Sequence, residues 1–188
     1  MNKDELRKIF IARRQALSES ELHSLSSKIS DHFFHAFDLA TINHLHIFLP
    51  IKSKHEPDTW IMIDRIRKDF PHIRLVIPKV KGDEMENILF ENNHQLENTK
   101  WGMIEPKQGL NIEPKDLDMV IVPLLAVDKQ GHRIGYGKGY YDRFLKLCRP
   151  NCIKIGVSYF EPEETINDKS TEDVLLNGCL TPDQYIDF

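Results

Sequence analysis

A single α/β domain, with a mostly parallel or mixed central sheet flanked by helices, is predicted by three features of the sequence. Segments rich in β-branched and apolar residues alternate along the chain with segments whose apolar residues recur at helical spacing. Two of the former, residues 118–128 and 153–160, are nearly continuous apolar runs, as in strands covered on both faces. No internal repeat, low-complexity tract or long Gly/Ser linker divides the 188 residues, so one domain over 1–188 is expected.

Between Lys3 and Leu17, the apolar Leu6, Ile9, Phe10 and Leu17 fall on one side of a helix. Lys3, Arg7 and Arg14 form a narrow stripe at the edge of that face, where stems can pack on the core and charged heads reach past it. Such a stripe suits anion binding and equally suits a solvated basic surface. Ser18 followed by Glu21 is a capping-box pattern, and Leu22, Leu25, Ile29 and Phe33 then repeat on a second helix. Residues 41–50 read as a strand, followed by a polar loop through Pro57 and a helix over 58–69. Residues 72–78 form a second strand, and 85–91 are expected to make a hairpin with the segment around 94–96. His44 and His46, at alternating positions of the first strand, are expected to be structural.

The 25 basic and 29 acidic residues give a net charge of −4, so no overall positive field points to nucleic acid or an anionic membrane. An anionic ligand therefore needs a local cluster. Cys148, Cys152 and Cys179 supply neither a disulfide framework nor a four-ligand zinc site, which suggests a reducing compartment. The N-terminal stretch is charged throughout, and no stretch reaches the roughly 20 apolar residues that span a bilayer. A cytoplasmic location is expected.

The densest chemical signal follows Val127, where Gly131, Gly135, Gly137 and Gly139 interrupt the pattern before Tyr141, Phe144, Leu145 and Cys148 mark a helix face. A strand, a glycine-rich loop and a helix N-terminus together make an anion cradle, because glycine lets backbone amides approach a ligand closely. Phosphate is the natural occupant. The spacing is neither the Walker pattern nor the dinucleotide fingerprint. Arg133 and Lys138 add two fixed charges able to make charge-assisted bonds to phosphate. Asp142 at the helix start has two readings, a favourable partner of the helix dipole or a magnesium ligand. Of Tyr140 and Tyr141, one is expected in the core and the other is available to stack on a flat heterocycle.

The segment PLLAVDKQGHRIGYGKGYYDR, residues 123–143, resembles the signature of the 5-formyltetrahydrofolate cyclo-ligase family. The resemblance extends to KDELR at 3–7, RRQALS at 13–18, FLPIKSKHEPDT at 48–59, IPKV at 77–80 and WGMIEP at 101–106, in the family's order. It implies a sugar-phosphate isomerase/CoA transferase-like fold. It also implies closure of 5-formyltetrahydrofolate to 5,10-methenyltetrahydrofolate with ATP and Mg²⁺, through a phosphorylated formyl group. The alternatives are an inactive folate- or nucleotide-binding relative, or another enzyme of the same α/β superfamily that needs no nucleotide.

By the same resemblance, ATP falls to Lys3, Asp4, Glu5, Leu6 and Arg7 together with Arg133, Ile134, Gly135, Tyr136, Gly137, Lys138, Gly139, Tyr140 and Tyr141. Arg133, Lys138 and Asp142 are the implied catalytic groups. Ile51, Glu56, Trp101 and Tyr140 are placed with the folate, Glu56 receiving the polar edge of the pterin ring. Asp142 is the implied magnesium aspartate. The family's second acidic pattern reads here as Asp168, Glu172 and Val174, so glutamate stands where aspartate is usual, with Asp173 beside it. The expected partners are the two substrates alone, with no nucleic acid or membrane, and the chain acting as a monomer.

Overall fold

The computed structural model describes residues 2–100, 102–168 and 170–188. Helix α1, Lys3–Gln15, opens with a capping box. Asn2 accepts from the Glu5 amide at 2.9 Å, and Glu5 accepts from the Asn2 amide at 3.0 Å. Helix α2, Glu19–Ala36, starts with the Ser18–Glu21 box that the sequence predicts. Strand β1, His44–Ile47, leads to α3, Trp60–Asp69, then β2, Arg74–Lys81, and β3, Glu84–Leu89. A small ribbon follows, β4, Leu96–Asn98, with β5, Ile104–Pro106. The remaining elements are β6, Met119–Pro123; β7, Ala126–Val127; β8, Arg133–Ile134; α4, Tyr140–Leu147; β9, Ile153–Val157; β10, Gly178–Leu180; and β11, Tyr185–Asp187.

One seven-stranded sheet runs β11-β10-β9-β6-β1-β2-β3. The five inner strands are parallel, and the edge strands β3 and β11 pair antiparallel to their neighbours. This is the mostly parallel α/β sheet that the sequence predicts. Along β6 the side chains alternate between layers. Met119 and Ile121 join the cluster under α2 and α3, while Val120 and Val122 meet Phe144 and Leu145 of α4. Both faces demand apolar residues, which is why the run reads as continuous. A third cluster lays α1 across the sheet's end, with Leu6 and Phe10 against Leu125, Ala126, Ile134 and Ile166.

Two expectations are corrected. Residues 85–91 do not pair with the 94–96 segment. Instead β3 folds back on β2 around Gly82, whose φ of 62° suits the tight turn, and Leu96–Asn98 pairs with β5. The apolar run 118–128 is not one strand either. Sheet pairing ends at Pro123, which has no N–H to extend the ladder, and the chain turns so that the Leu125 amide donates to the Ile134 carbonyl at 2.7 Å. Ala126–Val127 then pairs with Arg133–Ile134. Among the described residues no helix is long and apolar enough to cross a membrane.

His46 packs in the α4 layer, its ring 4.8 Å from that of Phe144 and fully buried, with no hydrogen-bond partner at either ring nitrogen. Burial pushes its pKa from 6.5 down to about 3, so the folded chain keeps the imidazole neutral. The unfolded chain takes up that proton below about pH 6.5, so His46 removes stability as pH falls. Unfolding free energies measured in urea should drop by about 1.4 kcal/mol per pH unit between about pH 6 and 4 from this group. His46→Leu should flatten the slope by that amount. An unchanged slope would place the acid sensitivity elsewhere.

Candidate active site

The loops after β1 and β6 and the residues after β9 all leave the carboxyl ends of parallel strands, where open α/β sheets place their ligands. Helix α1 lies over this end against β7 and β8. The Arg7 Nε donates to the Gly135 carbonyl at 3.0 Å, which ties the basic stripe of α1 to the glycine loop. Lys3 closes the far end of the helix, its ammonium 2.6 Å from Asp173 and its amide 3.3 Å from Asp168. The Asp4 carboxylate, also in the first turn, pairs with Arg7, Glu5 serves the cap, and Leu6 is core.

The glycine loop is clasped across its two ends. Arg133, before the loop, donates from Nη2 to Asp142 Oδ1 at 2.6 Å, and Asp142 belongs to the first turn of α4. The same carboxylate oxygen accepts the Val174 amide at 3.3 Å, while Arg133 Nη1 donates to the Val174 carbonyl at 2.5 Å. Burial pulls the Arg133 pKa below the usual guanidinium range, against the opposing charge of Asp142. Between these anchors Gly137 and Gly139 take φ of 88° and 69°, a region costly for other residues. A side chain at Gly137 would also meet the Arg7 guanidinium at 3.5 Å. Lys138, exposed between them, has its ammonium paired with no described group.

Tyr140 and Tyr141 divide as the sequence leaves open. Tyr141 packs in the core near Phe144 and His46. Tyr140 faces outward, its hydroxyl donating to the Gly82 carbonyl at 3.1 Å. Arg143 donates to the Asp83 carbonyl at 2.7 and 3.1 Å, so the β2–β3 turn is fastened beside the loop.

A second nucleus forms in the loop after β1. The Glu56 carboxylate is buried and accepts the Ile51 amide at 2.8 Å. The Tyr136 hydroxyl of the glycine loop lies beside it. Burial raises the Glu56 pKa above the usual carboxylate range, opposed by the Ile51 hydrogen bond, by the Tyr136 hydroxyl and by the charges of Arg14 and Lys54. Lys54 sits 4.0 Å over the Tyr136 ring. The loop is pinned by Thr59 Oγ1 donating to the Phe48 carbonyl at 2.6 Å and by Tyr159 donating to the Glu56 carbonyl at 3.1 Å. His55 takes a left-handed φ of 48°, a conformation that costs a non-glycine residue on the order of 1 kcal/mol.

The structure thus brings Arg7, Arg133, Lys138, Tyr136, Glu56 and Ile51 to one end of the sheet. Arg14, which the helical spacing places among three heads reaching past the core, is instead buried to 1% exposure. Glu172 pairs with Lys146, one turn further along α4 than Asp142. Trp101 lies outside the described residues. Lys54 and Arg143 join the site without having stood out by pattern, although Lys54 stands two residues before Glu56 and Arg143 ends the glycine segment.

Among the described residues no three His, Cys, Asp or Glu side chains converge on a metal position. Magnesium needs no such cage, since it keeps water and takes one or two carboxylates plus substrate phosphates. Asp142 fits that demand: Oδ1 holds Arg133 and Val174, and no described group donates to Oδ2. A cleft of about 480 Å³ lies at the opposite ends of the strands, lined by Asn43, His44, Arg74, Asp118 and Arg149. There Asp118 is spent on Arg149 and on the Asn43 and His44 amides, so it presents no unmatched recognition group.

The model of the 5-formyltetrahydrofolate cyclo-ligase family matches residues 1–168. The 5-formyltetrahydrofolate cyclo-ligase of Mycoplasma genitalium is 31% identical over 172 residues, covering 89% of this chain and 92% of its own. A probable 5-formyltetrahydrofolate cyclo-ligase of Schizosaccharomyces pombe is 27% identical over 203 residues, covering 99% and 98%. Among solved structures, the 5,10-methenyltetrahydrofolate synthetase of Aquifex aeolicus superposes with a TM-score of 0.85 at 31% identity, covering 100% of this chain and 93% of that one. That of Mycoplasma pneumoniae gives 0.77 at 28%, covering 96% and 98%. A glycine loop clasped at the end of a parallel sheet, in a chain matched along nearly its full length, belongs to the 5-formyltetrahydrofolate cyclo-ligase family.

Proposed function

We propose that this chain uses ATP to close 5-formyltetrahydrofolate to 5,10-methenyltetrahydrofolate, releasing ADP and phosphate. The observation that carries the site assignment is the glycine loop of residues 133–142, clasped by Arg133 and Asp142 and tied to α1 by Arg7, at the same end of the sheet as the buried acceptor Glu56. ATP phosphates lie along Gly135–Gly139, with Arg7, Arg133 and Lys138 supplying positive charge. The pterin edge of the folate meets Glu56, with Ile51 and Tyr140 bordering it. The formyl oxygen attacks the γ-phosphorus and ADP leaves; the second folate nitrogen then attacks the activated carbon and expels phosphate. No protein nucleophile is needed, since placement of two reactants can lower a barrier by roughly 7–11 kcal/mol.

Asp142 would hold magnesium, which would supply neutralisation of the phosphate charge. Glu172 would join it only by leaving Lys146. The sheet draws strands from His44 to Asp187, which supports one domain over 1–188, and three free cysteines suit a reducing cytoplasm.

Incubation with 5-formyltetrahydrofolate, ATP and Mg²⁺ should produce the near-ultraviolet absorbance of the methenyl product, and omission of ATP should abolish it. Product formed without nucleotide, or none with it, removes the assignment. Gly137→Val should weaken ATP binding at least about tenfold, because a positive φ costs roughly 1–2 kcal/mol outside glycine and a branched side chain fills space beside the Arg7 guanidinium. Its melting temperature should fall by only about 2–8 °C; unaltered ATP affinity by calorimetry would contradict the cradle. Asp142→Asn retains an acceptor for Arg133 but loses the charge. Its kcat should drop by about 10²–10³-fold and its half-saturating Mg²⁺ should rise; an unmoved Mg²⁺ titration would exclude Asp142 as a ligand.

A further inference from the structure

Among the described residues every peptide bond is trans, so each carbonyl points opposite to the N–H of the residue that follows it. Holding a carbonyl therefore sets the direction of the next amide. In the glycine loop two carbonyls are held in this way, each by an arginine. Arg7 Nε donates to the Gly135 carbonyl at 3.0 Å, which turns the Tyr136 amide away from the Arg7 side chain. Arg143 Nη2 donates to the Lys138 carbonyl at 3.1 Å, which turns the Gly139 amide away from the Arg143 guanidinium. Among the described residues no backbone amide of residues 136–141 donates to a protein acceptor. A run of N–H groups set in direction and left unanswered is complementary to an anion.

Arg143 is spent on carbonyls and on no acid. Among the described residues it forms no ion pair with a carboxylate. Its planar fork of five donors can serve two carbonyls at once. The second is that of Asp83, in the turn between β2 and β3, reached from Nε at 3.1 Å and from Nη2 at 2.7 Å. Tyr140 fastens the same turn, its hydroxyl donating to the Gly82 carbonyl at 3.1 Å. The guanidinium also lies hard against the loop backbone: a Cβ at Gly139 would meet Nη1 at 2.8 Å. A glycine at 139 is what permits that approach.

We propose that Arg143 is a positioning residue for ATP: by joining the Lys138 carbonyl of the glycine loop to the Asp83 carbonyl of the β2–β3 turn, its guanidinium holds the Gly139 amide toward the phosphates. The proposal rests on the reading that the phosphates lie along residues 135–139. It gives the β2–β3 hairpin, which carries no group assigned to either substrate, a part in nucleotide binding, since its turn is the fixed point against which the loop is set. The shape of the Arg143 head matters here more than its charge.

Arg143→Lys keeps the charge on a compact head without the planar fork, and Arg143→Ala removes both. With the full chain, Mg²⁺ and no folate, calorimetric ATP affinity should fall about tenfold in both variants, the loss of one hydrogen bond to a charged group. The folate KM should move much less. In ¹⁵N-edited NMR spectra, saturating ATP should shift the Gly139 amide of the wild-type chain and leave it nearly unmoved in both variants, while the Gly137 amide responds in all three. A merely structural loss would blunt the whole loop alike. Wild-type affinity in Arg143→Lys, a Gly139 amide that still shifts fully in Arg143→Ala, or equal blunting of Gly137 and Gly139 overturns the positioning role. Loop amides that ignore ATP in the wild-type chain overturn instead the placement of the phosphates.

Discussion

The ion pair between Arg133 and Asp142 is the constraint on which the site depends. It joins residues on either side of a loop whose glycines would otherwise sample many conformations, and glycine loses more freedom on ordering than any other residue. The guanidinium is 5% exposed, so its charge must be answered within the protein. Removing the acid from a buried pair leaves an uncompensated charge, at a cost of roughly 3–5 kcal/mol, reduced here because the Asp142 side chain is 31% exposed. Val174 adds its carbonyl and amide to the two partners, which brings the C-terminal segment into the same clasp. Loop, helix start and C-terminal segment are thus one unit.

Upon that unit the chain gathers groups that no single element carries. Helix α1 gives Lys3, Arg7 and Arg14; the loop after β1 gives Lys54 and Glu56; the glycine loop gives Tyr136 and Lys138. Their meeting place follows from topology, because parallel strands put all their carboxyl ends on one side. Local costs concentrate there as well. His55 sits in the left-handed region, and its ring bonds the Arg14 carbonyl at 3.0 Å. Arg14 itself is buried with its Nε unpartnered. Stability alone would favour a well-packed apolar residue at such a position.

How much of this is legible depends on whether a residue's role is set by its neighbours in sequence or by distant ones. The inner strands are legible because two buried faces leave no polar positions, as Met119–Pro123 illustrates. The cradle is legible because strand, glycines and helix start are consecutive. The hairpin partner is not, because 85–91 is equally apolar whichever strand it joins, and the choice falls to the Gly82 turn. The burial of Arg14 is hidden because its acceptors lie 110 and 122 residues away. The acids of residues 168–174 mark the limit most clearly. Asp168 and Asp173 go to Lys3, Glu172 to Lys146, and no periodicity in a loop could distribute them.

That distribution also decides how an anion can be received. Lys3, Arg7 and Arg133 each already hold an internal carboxylate, so the site is not a bare field of positive charge, consistent with a net charge of −4. The pairs differ in what separating them costs. Asp4 is 81% exposed, and a surface pair is worth about 0–1 kcal/mol, so Arg7 can leave Asp4 at little expense. The Lys3–Asp173 pair, at 18% and 16% exposure, is intermediate. Arg133 cannot make the exchange cheaply, and its remaining contribution is a buried positive charge at a fixed distance from the loop amides. Lys138, exposed and with no described partner to give up, is the cation that meets an anion at the least cost. The grading runs from the buried Arg133 pair to the exposed Lys138, so the cost of receiving an anion falls from the floor of the site to its rim.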